Sequence, residues 1–499
     1  MALSYGTLAL YFLALTCVYY FLVGIYNVFF HPLRHYPGPL LWRASPLPKN
    51  IYMLRGLYAK KAREIHETYP GTVRVAPNEL SYIQPQAWKD IMGRPLKSEM
   101  YKDMRFFGGD SFGRDALVTT TPEDHVRMRR IFSHAFSNTA LKAQEPLLVK
   151  YADQMVDTMD SLAARHGAVN LVDVFNFCTF DIMAELTFGE SLRLLERGDY
   201  HPWVHGLFAG LKYVVWGLVL LEFPVLGPLV EAVTAAPLRK KAQEHTDFAG
   251  GLVDRRLEGK GGAAAGGKPD IWSFVLRHQA DETKRLSGKE MHANAAMFMV
   301  AGTETTATVL SGVSWHLLRN PHAYRRLVAE VRGAFARSED MDTDGLLGLE
   351  YLHAVLQEGL RIYSPGAAGM PRIVPAGGAD ICGEFIPGGI HVSVNPYVAF
   401  THPDNWNRPA EFLPERWLRP DDPEWRHDKR EVHEPFSYGP RNCLGKNLAW
   451  LELRLMLAKT LWHYDLELCA GMEHWVDQKA YLTWEKRPLM VRLVPVQRK

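Results

Sequence analysis

A mainly α-helical body with a minor β-rich region, preceded by one N-terminal transmembrane helix, is the architecture this 499-residue sequence predicts. Three observations lead there. No Asp, Glu, Lys or Arg occurs before Arg34, and positions 8–30 are almost continuously apolar. Most of the remainder repeats its apolar residues at helical spacing. Period-two alternation is confined to a few short runs.

The run at 8–30 is long enough to cross a bilayer. No basic segment leads into it and no small-x-small site follows, so it reads as an anchor rather than a cleaved signal peptide. Arg34, Arg43 and Lys49 come next, which by the positive-inside rule puts the rest of the chain in the cytosol. Residues 31–48, opening with His31-Pro32-Leu33-Arg34-His35-Tyr36-Pro37-Gly38-Pro39, read as a stiff hinge. Length alone suggests about three domains. No linker long or polar enough to divide residues 49–499 is present, so they are read as one body.

Within that body, helices are expected over 123–136, 147–164, 271–278, 291–318, 321–336, 351–362 and 444–462. Strands are expected over 72–83, 383–394 and 489–494, with short pieces near Arg372. Residues 259–267 are nearly all Gly and Ala and read as a flexible loop. They lack the Gly-Lys-Ser/Thr ending of a phosphate cradle. A second apolar stretch, 203–233, is interrupted by Lys212, Glu222, Pro224 and Pro228. It reads as a pair of core-facing helices, or as a segment dipping into the bilayer surface. A net charge of +2 gives no support to a nucleic-acid partner. Cys17, Cys178, Cys382, Cys443 and Cys469 are odd in number and form no Cys-x-x-Cys, which argues against a disulfide framework or a zinc site and fits a reducing compartment.

The most informative stretch is Phe436-Ser437-Tyr438-Gly439-Pro440-Arg441-Asn442-Cys443-Leu444-Gly445. A lone cysteine lies between two glycines, with an arginine two positions before it and a helical segment after it. Glycine lets backbone pass close to a flat cofactor. A helix starting near Leu444 aims N–H groups and the positive end of its dipole at the sulfur, favouring thiolate. Haem iron is the cofactor that takes a single cysteine.

This run resembles the signature Phe-x-x-Gly-x-Arg-x-Cys-x-Gly of the cytochrome P450 family of haem-thiolate monooxygenases, and every fixed position is present. Three further motifs stand in the family's order: Ala301-Gly302-Thr303-Glu304-Thr305-Thr306, Glu358-x-x-Arg361, and Pro414-Glu415-Arg416-Trp417. The resemblance covers the chain from hinge to C-terminus. The stretch from Pro371 to Gly389 is similar to fungal secondary-metabolite members such as trichothecene hydroxylases.

The resemblance implies the cytochrome P450 fold, with haem b as cofactor and Cys443 as the axial thiolate ligand, Phe436 beside it. Glu304 and Thr305 become the acid and alcohol of the proton relay, and Gly302 leaves room for dioxygen. Glu358, Arg361 and Arg416 form a buried cluster that supports the cysteine segment. Arg441, Arg372, His125 and Arg129 are candidates for the haem propionates; His125 stands where the family often has tryptophan. Arg127, Arg130 and Lys446 are candidate contacts for an acidic electron donor. The distal pocket is expected at Phe106, Phe107, Phe112, Phe298, Ala301, Ala367, Ala368, Met370 and Tyr481, nearly all apolar or small, which implies a hydrophobic small-molecule substrate. The partners implied are NADPH-cytochrome P450 reductase, with cytochrome b5 as a second donor. The location implied is the endoplasmic-reticulum membrane, single-pass, with the catalytic body facing the cytosol. Two other readings stay open: a reductase-independent peroxide isomerase or dehydratase, and a non-catalytic haem carrier.

Overall fold

The computed structural model describes residues 5–95, 98–104, 106, 115–222, 227–258, 270–276 and 285–497. Its first element is the helix Tyr5–Phe29, with apolar side chains such as Leu10, Leu15 and Phe21 exposed. Its 25 residues rise about 37 Å, enough to cross a hydrocarbon core of about 30 Å. Among the described residues this is the one helix long and apolar enough to span a membrane.

The body grips the end of that helix. Arg74 is fully buried and sends Nη1 to the carbonyls of Asn27 at 2.9 Å and Leu33 at 3.3 Å. Its Nε and Nη2 reach the Pro77 carbonyl at 3.0 and 2.7 Å. The last carbonyls of a helix lack intrahelical partners, so one buried guanidinium can join helix to sheet. The expected hinge contains two short helices, Leu40–Ala44 and Leu47–Leu54.

The main sheet runs Val73–Ala76, Glu79–Tyr82, His391–Val394, Arg372–Ile373 and Tyr101–Lys102. Only the second and third strands pair in parallel. The run expected at 72–83 is a hairpin, turning at Pro77 and Asn78. The run expected at 383–394 is interrupted at Pro387-Gly388-Gly389, with Gly389 at φ 81°. Its first part pairs as Glu384–Ile386 with Ala379–Ile381, through a turn at Cys382 and Gly383, φ 52° and 83°. Two successive left-handed residues make the type I′ turn that matches strand twist. A third sheet joins Val169–Asn170, Met490–Pro495 and Tyr464–Leu468.

The helices pack round one long central helix, Gly288–Arg319, which opens with a capping box between Ser287 and Glu290. Leu171–Phe188, Gly227–Leu257, Glu350–Ile362 and Lys446–His463 lie against it. Leu171–Phe188 is buried on nearly every side, so it carries no amphipathic period and was not legible as a helix. The helix expected at 147–164 extends over Asn138–His166 and runs through Pro146. The stretch 203–233 forms parts of two mutually packed helices, Pro202–Leu221 and Gly227–Leu257, with Trp216 exposed on the first. The expected helix at 271–278 is described as Ile271–Leu276, and the loop at 259–267 lies outside the described residues. One apolar core surrounds the central helix and a second underlies the main sheet.

Candidate active site

The cysteine loop closes on itself: the Cys443 N–H donates to the Phe436 carbonyl at 2.8 Å, and the Asn442 N–H to Gly439 at 3.1 Å. Gly439 has φ 77°, and a side chain there would lie 2.1 Å from the Met92 carbonyl oxygen. The close approach expected at this glycine is therefore to the Trp88–Met92 segment, whereas Gly445 faces open space. The following helix begins at Lys446 with Gly445 as its cap. Cys443 is exposed on one side although protein encloses it on the others. Burial pushes its thiol up, more than the Gly445 N–H, Arg129 and Lys446 pull it down. Burial thus outweighs the pull of the helix terminus, which sequence reading expected to favour the thiolate.

Beside this loop stands a group of buried basic side chains. His125 is buried, its Nδ1 has no hydrogen-bond partner among the described residues, and it is lowered to about 3 by burial, then by Arg441, Lys102, Arg129 and Arg372. Arg441 grips Glu99 through Nε at 2.8 Å and Nη2 at 2.7 Å, leaving Nη1 without a partner among the described residues. Arg372 is lowered to about 10 by burial and the nearby Arg441. Lys102, which sequence reading missed, donates to the Val118 carbonyl at 2.6 Å and is held well below the usual lysine range by burial, Arg372 and Arg441. Arg129 departs from expectation: its Nη1 donates to the Asn442 carbonyl at 2.7 Å and its Nη2 to the Asn442 side chain. It steadies the cysteine loop, where the resemblance implied a propionate partner. Arg127 likewise pairs with Asp124 at 2.9 Å and with Glu290, whereas Arg130 and Lys446 stay exposed.

Glu358, Arg361 and Arg416 are fully buried and bonded together. Arg361 meets Glu358 with two hydrogen bonds, 2.9 and 2.7 Å, and Arg416 reaches it at 3.2 Å. Burial alone would raise the Glu358 carboxyl, but Arg361, Arg416 and the Leu413 N–H outweigh it and hold it at about 2. Arg361 also donates to the carbonyls of Phe400, Pro409 and Glu411, so the cluster pins the chain that leads to the cysteine loop. Two partners were not foreseen: Asp428, 2.5 Å from Arg416, and the Trp417 indole, 2.9 Å from Glu358.

The central helix loses its cover at Val300, Ala301, Gly302 and Thr305. The Thr305 hydroxyl donates to the Ala301 carbonyl at 2.8 Å. A side chain at Gly302 would lie 2.7 Å from Met183 Sδ, so its missing side chain admits the neighbouring helix Leu171–Phe188. Glu304 has a partner that sequence reading did not foresee. It lies about 100° round the helix from Thr305, and its Oε1 accepts from the Lys486 ammonium and, at 3.4 Å each, from Thr308 and Thr483. A buried carboxylate takes the nearest cation. A further carboxyl, Glu452, is buried close to the Thr306 hydroxyl and pushed up to about 8 by burial.

Of the expected pocket residues, Phe106 and Ala368 line a cavity of about 370 Å³ that reaches Tyr19, Tyr20 and Val23 on the first helix. Its wall is more polar than expected, carrying Lys49 paired with Glu79 and, at 3.0 Å, His391 with Asp103. Ala301 is exposed on the open face of the central helix. Phe298 packs edge-on against Phe132 and Phe136, centroids at 4.9 and 5.7 Å, and Ala367 is fully buried. Both belong to the core. Met370 is 43% exposed, and the Tyr481 ring lies against Gly56. Phe107 and Phe112 fall outside the described residues.

The cytochrome P450 family model matches residues 37–492. The chain is a cytochrome P450. It is 41% identical over 492 residues to the cytochrome P450 monooxygenase efuB of Hormonema carpetanum, covering 98% of this chain and 95% of that one. It is also 41% identical over 482 residues to the monooxygenase FUM2 of Gibberella moniliformis, 95% of this chain and 100% of that one. Averantin hydroxylase of Dothistroma septosporum is 38% identical over 474 residues, 94% of this chain and 88% of that one. The chain is a P450 monooxygenase.

The family binds haem through a thiolate, and the donor set of this P450 fits that group. Among the described residues no cluster of three His, Cys, Asp or Glu side chains could hold a bare metal ion, whereas Cys443 stands alone beside a cationic group. Lys102, Arg372 and Arg441 lie together near Glu99, the carboxylate that Arg441 grips. Burying like charges is costly unless an anion joins them. A porphyrin with two propionates would supply such an anion, and His125 Nδ1 and Arg441 Nη1, which lack partners among the described residues, would be available to it.

Proposed function

We propose that this P450 is a membrane-anchored haem-thiolate monooxygenase that inserts one oxygen atom from dioxygen into a C–H bond of a hydrophobic small molecule. Electrons come from NADPH through a separate reductase, with cytochrome b5 as a second donor. The observation that carries the reading is the buried cationic group set against a lone, one-sidedly open cysteine. Haem b, when bound, supplies the activation of dioxygen.

The chain's own residues do the rest. Cys443 binds the iron as thiolate, and Arg129 holds its loop through Asn442. Arg441, Arg372 and His125 hold the propionates. Glu358, Arg361 and Arg416 fix the preceding segment. The Thr305 hydroxyl lies on the open face of the central helix, bonded to the Ala301 carbonyl, and passes on a proton that Glu304 resupplies. Ala301, Ala368 and Phe106 offer apolar surface to the substrate. The name averantin hydroxylase favours hydroxylation, and the resemblance to fungal secondary-metabolite members favours a terpenoid or polyketide intermediate as substrate.

The helix Tyr5–Phe29 anchors the protein in the endoplasmic-reticulum membrane with residues 49–499 on the cytosolic side and 31–48 as hinge. The test incubates microsomes carrying this P450 and a reductase with NADPH and extracts of the producing organism. The expected results are a substrate-induced haem spin-state change and NADPH-dependent oxygenation. Product formed from a hydroperoxide without NADPH, and none with it, points to a peroxide isomerase instead and overturns the reading.

A further inference from the structure

We propose that the cavity between the first helix and the body binds an amphiphilic small molecule by its polar end, a hydrogen-bond donor without negative charge, and that the membrane helix supplies one wall. Taking that molecule as the substrate rests on the monooxygenase reading.

The helix does more than tether. Tyr19, Tyr20, Val23 and Asn27 lie along one face of it and line the cavity. Its end is held in place: besides the Arg74 bonds, Asn27 Nδ2 donates to the Ala44 carbonyl at 2.9 Å, and a side chain at Gly24 would lie 3.9 Å from Ala44. Leu218 and Glu222 contribute from the end of the helix Pro202–Leu221. Phe106 and Ala368 carry the cavity to the residues expected to meet substrate. Its volume of about 370 Å³ falls in the usual range of small-molecule sites, about 300–1,000 Å³.

The charged part of the wall is one-sided. Besides His391, it holds one ammonium, Lys49, and three carboxylates, Glu79, Asp103 and Glu222. Lys49 is already shared: it bonds Glu79 and lies 3.9 Å from Glu222. Burial works against its charge, but Glu79 and Glu222, with Tyr58, outweigh burial and hold it protonated. An anion placed here meets carboxylates that have taken the one ammonium first, and like-charge juxtaposition is costly. A hydrogen-bond donor is welcome instead. Glu222 Oε2 accepts from Asn50 at 3.0 Å and Asp103 pairs with His391, yet an ionised carboxylate has about four lone-pair sites and takes more than one donor. On the membrane side, the buried Tyr20 Oη has no hydrogen-bond partner among the described residues. A hydroxyl both donates and accepts, so it suits a carboxylate and that phenol alike.

The test uses full-length, haem-loaded protein in nanodiscs of zwitterionic phospholipid. A photoreactive long-chain alcohol, its diazirine beside the hydroxyl, is cross-linked and the labelled peptides are identified by mass spectrometry. Label is expected on residues 19–27 and 49–58. Lauryl alcohol is expected to displace it about tenfold better than lauryl sulfonate, which stays anionic. Glu222→Gln removes one carboxylate and is expected to narrow that preference. Val23→Trp fills the cavity from the membrane side and is expected to abolish the displaceable label while the carbon monoxide spectrum stays that of the parent. Should Val23→Trp fail to insert, Tyr20→Phe keeps the ring, drops the hydroxyl and is expected to weaken displacement by the alcohol; unweakened displacement overturns the membrane wall.

Label confined to outward side chains such as Leu10 and Leu15, or label unchanged in Val23→Trp, overturns the site. Equal displacement by alcohol and sulfonate overturns the end-group preference. Labelling needs no turnover, so the two readings fail separately. A parent that oxygenates with NADPH but carries no label in the cavity loses this site alone. Cavity label on a protein that oxygenates nothing contradicts the monooxygenase reading and leaves the binding site standing.

Discussion

Replacing Glu358 by glutamine probes the support beneath the cysteine loop. The carboxyl is held at about 2 against an ordinary 4.5, a difference of about two and a half units. At 1.36 kcal/mol per unit, that linkage amounts to about 3 kcal/mol at neutral pH. The substitution also leaves Arg361 and Arg416 fully buried, with Asp428 as their one remaining carboxylate partner among the described residues. Breaking a buried pair in this way costs about 3–5 kcal/mol, the same range. For a body of roughly 450 residues the unfolding entropy is about 1 kcal/mol per kelvin, so Tm is expected to fall by about 3–5 °C. Because the folded carboxyl is depressed, the parent's advantage is present above about pH 4.5 and disappears as pH falls toward 2. The assay is thermal unfolding of haem-loaded protein at pH 7, with haem retention measured in parallel. A Tm shift under 1 °C with unchanged haem retention refutes the claim that this ion cluster holds the segment leading to Cys443.

Three further outcomes are expected. Glu452→Gln has the opposite sign: the folded carboxyl is raised to about 8, so the parent loses stability as pH climbs from about 4.5 to about 8. The variant's gain in Tm should grow across that window, and a gain independent of pH contradicts the assignment. Arg441→Leu removes the proposed partner of the propionates and strands Glu99, so haem affinity should fall about tenfold or more, read as haem lost on gel filtration. Thr305→Ala should leave the haem spectrum unchanged while NADPH consumption runs on without matching product; unchanged coupling removes Thr305 from the relay.

The parts of the site legible in the sequence were those fixed by short spacing. Glu358 and Arg361 are three apart on one helix and meet there, and the cysteine loop is contiguous. Partners brought in by the fold left no local signal. Lys486 lies 182 residues beyond Glu304, Asp428 looked like any polar loop residue, and Lys102 sits on a two-residue strand. Phe298 and Ala367 were misplaced because an apolar side chain looks the same whether it faces core or pocket. Nothing local to Gly302 shows that Met183 of another helix packs against it. For secondary structure the limit was period: 123–136 and 321–336 alternate apolar and polar faces, whereas Leu171–Phe188 is buried all round and has no such pattern.

The most direct test of the account is the carbon monoxide difference spectrum of reduced Cys443→Ser beside the parent and a Cys469→Ser control, all produced with ample haem. The parent and the control should give the thiolate-type band, and Cys443→Ser should give none. If that band persists without the Cys443 sulfur, the ligand lies elsewhere and the site described here is not the haem site.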